Sequence, residues 1–213
     1  METHPSPAKP LRSGTMSAAR IEAFSDGVFA IVITLLVFQI QVPKLTGPNI
    51  SEALAASLWA MRPKFLSYAM SFTIVCIWWV AHHQFFHLLR RSNRGLLWSN
   101  SVFLFWLAFI PFPTALLGDY PGERLPVMCY AAAMGLAGVS FSWMRYYSFF
   151  VTDLARDGLD RRQMTRATIK SALNAILHFC ALMLALVNTT IAIALLIIIP
   201  LMFLRQSKLE LEG

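Results

Sequence analysis

Five stretches of this 213-residue sequence contain no Asp, Glu, Lys or Arg: Gly27–Pro43, Phe65–Leu89, Gly95–Gly118, Leu125–Met144 and Ser171–Leu204, of 17, 25, 24, 20 and 34 residues. About 20 apolar residues in a helix cross the roughly 30 Å hydrocarbon core of a bilayer. Lipid offers the backbone no hydrogen-bond partner, so such runs have to satisfy their amides internally, as helices. Short alternating strands, the mark of a membrane barrel, are absent. Charged residues amount to 14% of the chain and hydrophobic ones to 57%. A water-soluble enzyme needs about 25% charged residues to dress its surface, which excludes that class, and disorder with it.

The 34-residue run is long for one crossing, and Asn188-Thr189-Thr190 near its middle marks a turn. Six helices are expected, near 20–42, 64–89, 96–117, 126–150, 165–187 and 189–204. The basic residues fit that count. With the N-terminus inside, 13 of the 18 (Lys9, Arg12, Arg20, Arg90, Arg91, Arg94, Arg156, Arg161, Arg162, Arg166, Lys170, Arg205 and Lys208) fall in inner segments and only Lys44, Arg62, Lys64 and Arg124 in outer ones. This is the asymmetry of the positive-inside rule, and it explains the net charge of +7 without nucleic acid. Arg145 is expected to snorkel from the inner end of helix 4. The chain reads as a multi-pass protein of the plasma membrane with both termini cytoplasmic: a polar tail over residues 1–19, a membrane domain over 20–204 and a short tail over 205–213.

Motifs for soluble chemistry are missing. No phosphate-binding glycine loop, nucleophile elbow, zinc-protease helix or TVGYG filter occurs. Cys76, Cys129 and Cys180 stand singly inside apolar runs without metal-ligand spacing, and read as small packing residues. The informative residues are polar groups inside the spans, where each is costly. Asp26 is the one acid well inside a hydrophobic segment. Helix 2 carries Trp78, Trp79, His82, His83 and His87, and its antiparallel course brings His82 to the depth of Asp26. A carboxylate there is satisfied by imidazole and indole donors. Trp79, His82 and Phe86 share a face, which favours His82 as the partner. His83 and His87 read as packing or interfacial residues. A His-rich metal site is the sharper alternative for them; the sequence puts no second acidic ligand nearby, so no metal and no cofactor is expected.

Arg20-x-x-x-Phe24-Ser25-Asp26 resembles the RxxxFSD signature of the TMEM175 potassium-channel family. Trp79-x-x-His82 and Leu107-Ala-Phe-Ile-Pro-Phe-Pro-Thr114 extend the resemblance from about Arg20 to Thr114. The signature occurs once, as in single-repeat prokaryotic members; lysosomal animal relatives carry two six-helix repeats. The resemblance implies an all-α subunit of six transmembrane helices, a homotetramer, and a cation channel favouring potassium without a carbonyl filter. Helix 1 would line a central pore, constricted five residues after the acid, here at Ile31. At 100° per residue Ile31, Leu35 and Phe38 share a stripe about 140° from Asp26, and Thr34 flanks it. Arg20, Phe24, Ser25, Asp26, Trp79 and His82 then form an inter-helix scaffold. Ala30, where relatives carry serine, and the bulk of Phe38 bear on selectivity more than on fold.

Read without the signature, Ile and Leu at this spacing are lipid-facing or core residues. A secondary transporter would want broken helices around a polar midplane; helix 1 is aliphatic there, although Pro111 and Pro113 interrupt helix 3. A non-conducting scaffold is the other alternative. No nucleophile accompanies Asp26 and His82, so no enzyme is expected.

Overall fold

A computed structural model describes residues 17–211 in backbone and the side chains as far as Phe203. The tail expected over residues 1–16 lies outside the described residues. Within them the chain is all-α: α1 (Ala18–Val37), α2 (Ile50–Ala60), α3 (Arg62–His87), α4 (Arg94–Phe109), α5 (Pro111–Asp119), α6 (Arg124–Tyr146), continued by a π turn (Tyr147–Val151), α7 (Arg161–Val187) and α8 (Thr189–Leu211). Four spans among the described residues, 62–87, 94–119 (α4 with α5), 124–151 (α6 with the π turn) and 161–187, are long and apolar enough to cross a membrane.

Several boundaries depart from expectation, each for a local reason. Helix 1 stops at Val37 instead of running to 42. Its last amides turn back through short bonds, Phe38 N–H to Leu35 and Ile40 N–H to Val37, before Pro43, whose ring disfavours helix in the residue ahead of it. Phe38 is therefore the C-cap of α1 and not an interior residue. The segment after it holds an unforeseen helix, α2, too short to cross and with no buried residue. Arg62 joins it to α3: its guanidinium lies 3.9 Å from the centre of the Trp59 ring and its Nε donates to the Trp59 carbonyl. The third expected helix is two. Pro111 has no N–H for the Leu107 carbonyl, which takes the Ile110 amide at 3.2 Å instead, and the axis breaks there into α4 and α5. Asn188 alone separates α7 from α8. Its extended backbone ends one helix, and its Oδ1 accepts the Ile191 amide of the next, as an N-cap does. Helix α8 runs on to Leu211, past the expected end at 204.

The core lies where α3, α4 and α6 meet. His82 is surrounded there by the rings of Phe29, Phe86, Phe103 and Phe141, with centroids 4.6–6.3 Å away. At one end of the bundle Lys64 pairs with Asp119. At the other, Arg90 pairs with Asp153 and Asp157, and the α3–α4 turn bonds backbone to backbone with Leu154 and Arg156. Arg145 does not snorkel. It is 7% exposed, donates to the carbonyls of Ala81 and Ala167 at 2.8 Å each, and lies 4.7 Å from the centre of the Phe141 ring. One side chain thus ties α6 to α3 and α7.

Helices α6 and α7 approach closely through small residues. A Cβ on Gly138 would stand 3.1 Å from the Ala175 Cα, a backbone atom that cannot rotate away. Between membrane helices such close packing replaces the hydrophobic drive available in water. Gly138→Leu is expected to cost about 1–3 kcal/mol through overpacking. Gly27→Ala, where nothing lies within 4 Å of the new methyl, leaves the packing within the chain intact. Size-exclusion profiles of the detergent-solubilised protein after graded heating check both.

Candidate functional site

Helix α1 divides cleanly into two faces. Ile21, Ser25, Phe29, Val32 and Leu36 follow the i, i+3/i+4 rhythm and are buried against α3 and α4. The opposite face, carrying Phe24, Ile31, Thr34, Leu35 and Phe38, is left uncovered by the described residues of the chain. Ile31 is 59% exposed and Phe38 72%. Thr34 spends its hydroxyl hydrogen on its own helix, with the carbonyls of Ala30 and Ile31 at 3.0 and 2.8 Å, so its lone pairs face outward.

Ser25 and Asp26 of the signature turn toward neighbouring helices. Ser25 is fully buried and donates to the Ile21 carbonyl at 2.8 Å. Its oxygen accepts from Asn100 Nδ2 at 2.9 Å, and Asn100 Oδ1 lies 2.9 Å from His82 Nε2. The amide oxygen only accepts, so Nε2 carries the imidazole hydrogen. His82 Nδ1 faces the aromatic core with no hydrogen-bond partner among the described residues. Three helices are joined by one polar chain, from α1 through α4 to α3. Asp26 is held separately, accepting from Trp79 Nε1 at 3.0 Å.

The expected pairing of Asp26 with His82 therefore fails. Position 26 lies 100° around the helix from Ser25, at the α1–α3 edge where Trp79 stands, while position 25 points at the core. Asn100, which takes His82 instead, is absent from the sequence-based site. Its signal is an amide within an apolar run, where an unpaired one is costly. Arg20 and Phe24 lie on the exposed face, and no polar or ring contact from them to a neighbouring helix occurs among the described residues. His83 is not merely a packing residue. Glu22 of α1 reaches it, one turn from the Asp26–Trp79 pair.

The family model described as "Endosomal/lysosomal potassium channel TMEM175" matches residues 20–111. A potassium channel of Chamaesiphon minutus is 32% identical over 192 residues, 89% of this chain and 94% of that protein. A potassium channel of Streptomyces collinus is 42% identical over 59% of each chain. Among solved structures, the crystal structure of a lysosomal potassium-selective channel TMEM175 homolog from Chamaesiphon minutus superposes with a TM-score of 0.78 at 31% identity, covering 89% of this chain and 97% of that one. The match spans the polar chain and the exposed α1 stripe alike. This all-α, multi-pass membrane protein belongs to the TMEM175 potassium-channel family.

Proposed function

We propose that the chain is one subunit of a homotetrameric channel that conducts potassium ions, with α1 of each subunit lining a central pore and Ile31 at its constriction. The observation that carries this reading is the division of α1. Ser25 and Asp26 of the signature are engaged inside the subunit, and a largely apolar stripe is left uncovered. A single α1 encloses nothing, so a pore needs several copies around a symmetry axis. Leu35 and Phe38 continue the stripe from Ile31, and Thr34 presents oxygen lone pairs beside it. A ring of Ile side chains passes an ion only after partial loss of its water, and such apolar constrictions also gate by drying. Arg20 and Phe24 then act between subunits, and Ser25, Asp26, Trp79 and His82 within them.

Six crossings complete the reading. Helix α1, 20 residues long, rises about 30 Å at 1.5 Å per residue, enough to span, and α8 returns the chain after Asn188. Both termini are then on the basic, cytoplasmic side of the plasma membrane. A cysteine placed at Asn188 is expected to react with an impermeant maleimide from outside intact cells. Reaction only after the membrane is opened removes the outer α7–α8 turn.

Two substitutions separate pore from scaffold. Ile31→Asn wets the ring: conductance is expected to rise and the preference for potassium over sodium to fall under bi-ionic conditions. Ile33, about 160° from Ile31 and packed against the core, is the control: Ile33→Asn lowers yield without moving the reversal potential. An unchanged reversal potential and current in Ile31→Asn would take Ile31 out of the ion path.

Asn100→Leu tests the polar chain. It strands Ser25 and His82, at a cost of about 1–3 kcal/mol for each buried group left unpaired. The thermal midpoint of the assembled protein is expected to drop by several degrees, while channels that do assemble keep their ion preference. Normal stability with lost selectivity would instead put Asn100 and His82 on the conduction route.

A further inference from the structure

Three side chains at the Arg90 end of α3 take no part in the proposed conduction path. His83 and His87 stand one turn apart on α3, both exposed, and their Nε2 atoms are 3.1 Å from each other. From α1, Glu22 brings Oε1 to 2.9 Å from His83 Nδ1. One ligand atom from each residue lies within 4.8 Å of the other two. Glu22 and His83 run parallel to the Asp26–Trp79 pair one turn further on, so α1 and α3 are tied twice along one edge.

We infer that Glu22, His83 and His87 form a divalent transition-metal site bridging α1 and α3. Three observations converge on it. Two imidazoles at i and i+4 present their nitrogens to one side of a helix, the spacing that chelates zinc elsewhere. Their 3.1 Å separation is close to the ~3.3 Å edge of a tetrahedron with metal–nitrogen bonds of ~2.0–2.1 Å. The carboxylate only accepts, so His83 must hold its hydrogen on Nδ1. That leaves the Nε2 lone pair aimed at His87, the tautomer that a carboxylate–histidine–metal arrangement requires. Glu22 thus either orients His83 from behind or, by rotating, becomes the third ligand; both roles place it in the site. Imidazole and carboxylate donors suit zinc, nickel or copper rather than the hard alkali and alkaline-earth ions. Loading the site clamps the first turns of α1 onto α3.

Untagged protein in lipid nanodiscs, titrated with zinc chloride and separately with nickel chloride by isothermal calorimetry, tests this without any ion flux. One ion per chain is expected. His87→Ala removes that binding, and Glu22→Gln weakens it about 10–100-fold. His83→Ala also removes it. Should that variant fail to assemble, His87→Gln replaces it, since residue 87 is exposed. Hydrogen exchange supplies the second readout: zinc is expected to slow exchange across the first turns of α1 in the wild type and not in His87→Ala. No saturable binding by the wild type, or a His87→Ala isotherm indistinguishable from it, overturns the site. Zinc binding that leaves α1 exchange unchanged, with full affinity in Glu22→Gln, overturns the bridge to α1.

Discussion

Hydrocarbon supplies no hydrogen bonds, and the polar side chains that α1 turns toward the bundle must be met by neighbouring helices. This constraint arranges the rest of the molecule. Ser25 is met by Asn100, Asn100 by His82, and Asp26 by Trp79, so α1 is docked on α3 and α4 in a single rotational setting. Turning α1 by one residue would carry Ser25 away from Asn100 and put Phe24 or Asp26 in its direction. The aliphatic face is thereby fixed as well. It is whatever remains once the polar groups have chosen their direction.

The same constraint acts elsewhere with other residues. Ser71 bonds to Thr114 and Tyr130 and so links α3, α5 and α6 near the break at Pro111. Arg145 sets its guanidinium on two backbone carbonyls and an aromatic face. Helices α6 and α7, tied at one point by Arg145, otherwise pack sterically, because Gly138 and Ala175 let their backbones approach. The bundle combines a polar lock on the α1 side with close steric packing on the α7 side.

The broad fold is legible because runs free of charge have few solutions in a membrane. The turn at Asn188 and the disturbance at Pro111 are readable from residue type. Orientation within α1 is readable too, since helical geometry alone sets Ile31 and Asp26 on different sides. Partner identity is not. Asp26 and His82 lie at matching depth, but depth says nothing about rotation, and the rotation of α3 gives Asp26 to Trp79. Asn100 is inconspicuous because it sits within the first two turns of α4 among Trp98, Ser99 and Ser101, where the sequence looks interfacial. Placing Glu22 beside His83, 61 residues further on, needs the register between two helices. Helix α2 is hidden by its setting, just after Pro43, Gly47 and Pro48, residues that announce a loop and give no sign of the helix beyond it.

The joint at Asn188 has a mechanical meaning. One residue of extended chain reaches about 3.3–3.6 Å, less than the 5.4 Å pitch of a helical turn. Helix α8 therefore has no slack to ratchet along α7, and the two travel as one lever. The long connections lie elsewhere, over residues 38–49 and 152–160. Those are the connections with slack to take up a displacement of the elements they join, whereas α7 and α8 are held together end to end.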